Sequence, residues 1–169
     1  ADHLDLTRYA LGGVAGLLRD SLFGALATVI MQSSHATLVL IITALGAGQI
    51  TYENALALAI GANVGTTVTA VLGALNATVD GKRLAGAHLI FNVGTGLVAL
   101  VLINPFMRAV DTVSHAVGIP ADDYTLKLAV FHTLFNGIGI IIFTPLIGRL
   151  VALLTRMLKG ERQTHDMPR

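Results

Sequence analysis

Four patches hold the polar side chains that could do chemistry in an otherwise apolar chain: Gln32, Ser33, Ser34 and His35; Asn63, Thr66 and Thr67; His88 with Asn92; and His132 with Asn136. Amides and hydroxyls both donate and accept hydrogen bonds without carrying fixed charge. Such a set suits reversible binding of small ions better than bond breaking. A nucleophilic serine needs a base oriented by a third group, and Ser34 beside His35 has no evident orienting acid and no G-x-S-x-G elbow. No catalytic residue is assigned, and with no cysteine in the chain neither a disulfide nor a thiolate metal site exists.

The setting of these patches is a membrane. Hydrophobic residues make up 54% of the chain and charged residues 12%, against roughly a quarter charged in soluble domains. Mean hydropathy is +0.74. Eighteen glycines, four prolines and no tryptophan fit helices packed closely through small residues. A net charge of +1 gives no electrostatic basis for binding nucleic acid. The opening ADHLDLTRY lacks the basic start and apolar centre of a secretory signal, and the chain is expected to be part of a longer polypeptide.

These residues predict an all-α membrane protein of about three full transmembrane helices, a re-entrant helical hairpin and a broken helix. Residues 1–21 read as an interfacial segment, because the apolar run from Tyr9 is closed by Arg19 and Asp20. Residues 22–48 form two half-length runs around MQSSHAT. That polar centre predicts a hairpin that turns back, although the distribution of basic residues slightly favours a full crossing. Residues 55–75 are long enough to span, yet GANVGTT at their centre predicts a second interruption, with Asn63 capping and Thr66 and Thr67 starting a half-helix. Residues 84–104 and 126–148 read as full spans. The loop 76–83, with Lys82 and Arg83, and the basic tail 149–169 are assigned to the cytoplasm, which puts 49–54 and 104–125 outside.

A helix break in hydrocarbon must satisfy its own backbone groups or lend them to a ligand. The free N–H groups of a half-helix starting near Ala36 favour an anion, while hydroxyl and carbonyl oxygens favour Na+. All ten acids fall in the expected loops and tails, so carboxylate-driven proton coupling is not expected and an anion would need a co-bound cation. His88 to Asn92 and His132 to Asn136 repeat the pattern H-x-x-F-N, which puts each His and Asn one turn apart on one face. Polar glue between helices, at roughly 0.6 kcal/mol each, is the default reading of that echo, and close helix packing is the default for GANVG. A place in an ion pathway is the sharper alternative for both.

Taken in order, QSSHAT, GANVGTTVTA and H-x-x-F-N resemble the sodium-dependent phosphate cotransporter family of the type II kind, including its bacterial members. The resemblance covers about residues 22–145. In that family a Q-S-S-S type motif occurs once in each of two inverted repeats, and His35 here replaces its last Ser. The resemblance implies phosphate binding by Gln32, Ser33, Ser34, Asn63, Thr66 and Thr67. It implies Na+ binding by Gln32, Ser33, Ser34, Thr66, Thr67 and Asn92, with His35, His88, His132 and Asn136 in support. VFHTLFNGIG resembles the end of the second repeat, and three spans plus a hairpin make an odd number of crossings, so a tandem copy would be inverted. The implied activity is sodium-coupled symport of inorganic phosphate across the plasma (inner) membrane by alternating access. Na+ is the coupling ion, no covalent cofactor is expected, and a second repeat supplies the other half, from the same longer chain or an antiparallel partner. Competing readings are a non-transporting assembly module and the same fold carrying another oxyanion.

Overall fold

Helix boundaries follow local chemistry in the computed structural model, which describes residues 13–159. The first helix, α1, covers Gly13–Met31. Ser33, in extended conformation, accepts from the Ala36 N–H and starts α2 (Ser34–Gly46). Thr51 caps α3 (Tyr52–Gly73), Thr78 caps α4 (Val79–Val101) and Asp123 caps α6 (Tyr124–Phe143), each accepting from an N–H three residues on. Proline supplies two of the stops. The ring of Pro105 crowds the carbonyl four residues back, so α4 ends at Val101 and a new helix, α5 (Ile103–Ala116), begins. Pro145 likewise sits in a 3-10 turn, Thr144–Leu146, between α6 and α7 (Ile147–Met157).

By length and composition α1, α3, α4 and the run Tyr124–Met157 can each cross a bilayer. Leu22, Ile30, Leu84, Val101 and Ile141 are all more than 70% exposed, as side chains facing lipid are. The chain is a multi-pass membrane protein. At 13 residues, or about 20 Å, α2 is too short to cross.

Backbone contact sets the packing. A Cβ built on Gly61 would lie 1.8 Å from the Ser21 carbonyl oxygen, and one on Gly24 2.0 Å from that of Leu58, so α1 and α3 run parallel with no side chain between them. The Ser21 hydroxyl donates to the Ala57 carbonyl at 3.0 Å. After the turn at Gln32 and Ser33, α2 folds back on α1, and the buried Thr28 hydroxyl donates to that of Thr37 at 2.9 Å. Antiparallel to α3 runs α4, with Gly96 against Ile60. The α6–α7 run is antiparallel to α4: Gly139 meets Phe91, Gly86 meets Leu154, and the Arg83 guanidinium donates to the Leu158 carbonyl. Phe131 and Phe135 are fully buried, and Phe106 of α5 meets Phe131 edge-on at 5.4 Å.

Several sequence expectations change. Helix α1 runs straight through Arg19 and Asp20, so no interfacial segment ends at residue 21 and the hairpin's first arm is longer than 22–31. Residues 1–12 of that expected segment lie outside the described residues. Asp20 therefore sits inside an apolar helix and not in a loop, 5% exposed, accepting from the Arg19 guanidinium and the Asn54 amide. Those partners make its burial tolerable.

The expected interruption in 55–75 is absent, for α3 is one continuous helix of 22 residues. Glycine without proline weakens a helix by only about 1 kcal/mol, and Thr66 and Thr67 satisfy their hydroxyls on the carbonyls of Ala62 and Val64. Asn63 accordingly caps nothing. Residues 104–125 hold most of an amphipathic helix, α5, and not a plain loop, and the tail expected from 149 continues as α7, with 160–169 outside the described residues.

Lys127, near the start of α6, is buried. It pairs with Asp111 of α5 at 2.7 Å and lies 4.8 Å from the Tyr52 ring centre.

Two substitution pairs test this packing by thermal or denaturant unfolding in detergent. Gly61→Leu must separate α1 from α3 and is expected to cost at least about 3 kcal/mol, whereas Gly137→Ala, with nothing within 4 Å of its new Cβ, stays within about 1 kcal/mol of the parent. Equal stabilities would contradict the backbone contact. Asp111 is half exposed and Lys127 is not, so Asp111→Asn, which strands a buried cation, is expected to cost about 2 kcal/mol more than Lys127→Met. The reverse order would mean that the ion pair is not what holds α5 to α6.

Candidate functional site

The first turn of α2, the middle of α3, the middle of α4 and the middle of α6 surround a cavity of about 450 Å³. From α2 it is lined by Ser34, His35 and Leu38, and from α3 by Asn63 and Thr66. His88 and Asn92 of α4, with Ala129, His132 and Asn136 of α6, complete it. All but Leu38 and Ala129 are polar, on helices otherwise built for lipid. One side is open: His35, Thr66, His88 and Asn136 are exposed.

Helical spacing puts these groups on one face, and local hydrogen bonds then decide which atoms remain available. In both H-x-x-F-N segments the asparagine amide donates to the histidine carbonyl four residues back, Asn92 to His88 at 3.2 Å and Asn136 to His132 at 2.8 Å. One N–H of each amide is thereby tied to its own helix, and the other N–H and the amide oxygen are left available. Thr66 donates to the Ala62 carbonyl at 3.0 Å and keeps its lone pairs. Two buried nitrogens, Asn63 Nδ2 and His132 Nε2, find no hydrogen-bond partner among the described residues. A buried amide donor without a partner is costly, by about 1–3 kcal/mol, and such groups belong where a ligand arrives.

The cavity thus offers donors on one hand and neutral oxygens on the other. An oxyanion takes the first and a hard cation the second. The N-terminal turn of α2 adds its N–H groups and the positive end of its dipole beside Ser34. Among the described residues no group of three or more His, Cys, Asp or Glu is placed to hold a metal ion, so the three imidazoles line the cavity separately.

Of the residues singled out from sequence, the cavity gathers Ser34, His35, Asn63, Thr66, His88, Asn92, His132 and Asn136. Gln32, Ser33 and Thr67 do not line it. Gln32 takes the left-handed conformation, φ 52°, that makes the turn, and its side-chain amide donates to the Val29 carbonyl at 2.6 Å, closing the end of α1. The Ser33 hydroxyl is occupied as the cap of α2. Thr67 is fully buried, with its hydroxyl on Val64. Sequence reasoning missed Leu38 and Ala129. Their signal was spacing: Leu38 follows His35 by three residues, and Ala129, His132 and Asn136 fall at i, i+3 and i+7.

Residues 10–158 match the family described as Na+/Pi-cotransporter. "Putative inorganic phosphate export protein YjbB" of Salmonella typhimurium is 30% identical over 153 residues, 90% of this chain and 27% of that protein. "Uncharacterized protein YqeW" of Bacillus subtilis is 31% identical over 136 residues, 79% of this chain and 42% of that one. "Sodium-dependent phosphate transport protein 2B" of Homo sapiens is 40% identical over 91 residues, 52% of this chain and 13% of that protein. The chain therefore spans less than half the length of each of these relatives. No solved structure matches it significantly. With nearly the whole chain covered by the family match, the chain belongs to the Na+/Pi-cotransporter family, a family of phosphate transporters.

Proposed function

We propose that this chain supplies one half of a sodium-coupled transporter of inorganic phosphate in the plasma (inner) membrane. The observation that carries the proposal is the cavity: eight polar residues from four apolar helices converge on one space and keep unmet donors and oxygens there. Phosphate is held by Asn63 Nδ2, by imidazole nitrogen and by the Ser34 hydroxyl beside the α2 N-terminus. Na+ is held by the amide oxygens of Asn92 and Asn136 and by Thr66. Among the described residues no Asp, Glu, Lys or Arg lines the cavity, so a phosphate dianion in low dielectric needs a cation beside it, which supports coupling to Na+. Gln32, Ser33 and Thr67 act at one remove, by shaping the turn and helix that present these groups.

The turn at Gln32 is read as the tip of a re-entrant hairpin. Gly65 of α3 meets Ala25 and Thr28 of α1, so the turn lies about level with Thr69, and α3 runs about four residues further to Gly73, roughly 6 Å. The support for the re-entrant reading is α2, whose 13 residues are too few to return across the membrane. Arg83, next to Lys82, donates to the Leu158 carbonyl just past α7, so these basic segments gather at one end, which the positive-inside rule assigns to the cytoplasm. The open side of the cavity is where a second, inverted repeat completes the site. Transport then proceeds by one half rocking against the other.

The export named for the Salmonella relative favours a second reading in which net flux runs outward. A symporter's direction is set by the Na+ and phosphate gradients, so the same cavity serves both. A pure assembly module accounts for Gly61 and Gly65, which do pack helices, but not for the convergence of eight polar side chains from four helices on one space.

Phosphate flux into proteoliposomes of the full-length protein is expected to require Na+, and uptake unchanged after replacing Na+ with choline would overturn the coupling. Sulfate and arsenate as competitors report the oxyanion class. Asn63→Ala and Asn92→Ala are each expected to lower flux by about tenfold or more, the worth of a hydrogen bond to an ion, with membrane insertion unchanged. Thr133→Ala, exposed on α6 and outside the cavity, is expected to leave flux unaltered.

A further inference from the structure

Three cavities adjoin along one seam between α2 and α6. The candidate site shares His35, Leu38, Ala129 and His132 with a smaller space of about 230 Å³, open on the side where Val39, Thr125 and Ala129 are exposed. That space shares Ile42 and Thr125 with a third, of about 450 Å³, bounded by Gly46 and by Pro120, Asp122 and Asp123 of the loop before α6. With common walls at each step, the seam runs from the hairpin's turn to the end of the bundle opposite Arg83 and α7. Ser34 to Gly46 along α2 gives it a length of about 18 Å.

The walls change character along the way. Imidazoles line the inner end, Leu38, Ile42 and Leu128 the middle, and carboxylates the mouth. Among the described residues no hydrogen bond or ion pair joins α2 to α6, whereas backbone contact locks α1 to α3. A short apolar stretch between two polar spaces is closed to hydrated ions while narrow and conducts once widened and wetted.

We infer that the α2–α6 seam is the route by which phosphate and Na+ pass between the cavity and the membrane face bearing residues 117–123, with Leu38, Ile42 and Leu128 forming its apolar constriction. The inference rests on the transporter reading for the identity of the ions. Its geometry is testable without it.

This chain contains no cysteine, so an introduced one is unique within it. In the full-length protein in native membranes, a membrane-impermeant methanethiosulfonate is expected to label Ile42→Cys and Thr125→Cys at least about tenfold faster than Ile141→Cys on the lipid face. Na+ with phosphate is expected to slow labelling at Ile42→Cys, and the labelled protein is expected to lose phosphate flux. Labelling of Ile42→Cys no faster than of Ile141→Cys overturns the route, even where flux is intact. Thr125→Leu narrows the wall shared by the second and third spaces and lies outside the candidate site. It is expected to lower flux about tenfold or more while the Na+-dependent thermal shift with phosphate persists. Flux at the parent rate in that variant also overturns the route. Absence of any Na+-dependent phosphate flux in the unsubstituted protein overturns the transporter reading instead, and the labelling rates still decide whether the seam is an aqueous path.

Discussion

Backbone contact between α1 and α3 fixes the rest of the molecule. With Gly24, Gly61 and Gly65 at the crossing, no side chain separates the two helices, and their relative height is set to within a fraction of a turn. In lipid no hydrophobic force holds helices together, so close approach through small residues is the main source of association. That contact determines where the α1–α2 turn falls along α3, and so brings Ser34 to the level of Thr66. A longer side chain at Gly61 would push the hairpin off α3 and carry one wall of the cavity away with it.

A second constraint shapes the cavity itself. Each polar side chain on these helices must be satisfied without water, and most do so on their own helix, as Thr66, Thr67, Asn92 and Asn136 show. This economy has two consequences. It lets α3 carry a polar centre without breaking, and it ties one N–H of Asn92 and one of Asn136 while leaving both amide oxygens open as acceptors. In the cavity lining Asn63 and His132 are the exceptions, each with a buried nitrogen unmet, while Tyr52, Thr95 and Ser114 hold unmet hydroxyls elsewhere among the described residues. The two nitrogens share one space with the open amide oxygens of Asn92 and Asn136.

Much of this was legible in the sequence, because hydropathy, capping residues and one-turn spacing are local signals. The membrane class, the turn at Gln32 and Ser33, and the shared face of each His and Asn could all be read from neighbouring residues. What could not be read depended on partners distant in the chain. GANVGTT looks the same whether its glycines break a helix or admit another backbone, and only Ser21 and Ala25 of α1 decide between them. Arg19 and Asp20 look like the end of an apolar run until the Asn54 amide, 34 residues on, donates to the Asp20 carboxylate. Thr66 and Thr67 are adjacent and alike, yet a 100° step along the helix leaves one in the cavity and the other in the core.

The distribution of anchors shows which helix is least constrained. The first turn of α3 is pinned on both sides, by Asn54 to Asp20 of α1 and by the Tyr52 ring against Lys127 of α6. Lys127 in turn holds α5 through Asp111. Helices α1, α3, α5 and α6 therefore form a braced frame at the end opposite the basic segments, with charged and polar ties that resist separation. Helix α2 has none of these ties. Its only cross-helix hydrogen bond among the described residues is Thr28 to Thr37, near the turn, so the rest of its length lies on α3 and α6 through apolar side chains alone. Beyond its turn α2 is held by the packing of Leu38, Ile41, Ile42 and Leu45 on the core and, among the described residues, by no polar tie, so its place beside α6 depends on non-directional contacts. The same turn presents Ser34 to the cavity, so the one polar anchor of α2 lies at the end that carries a binding group.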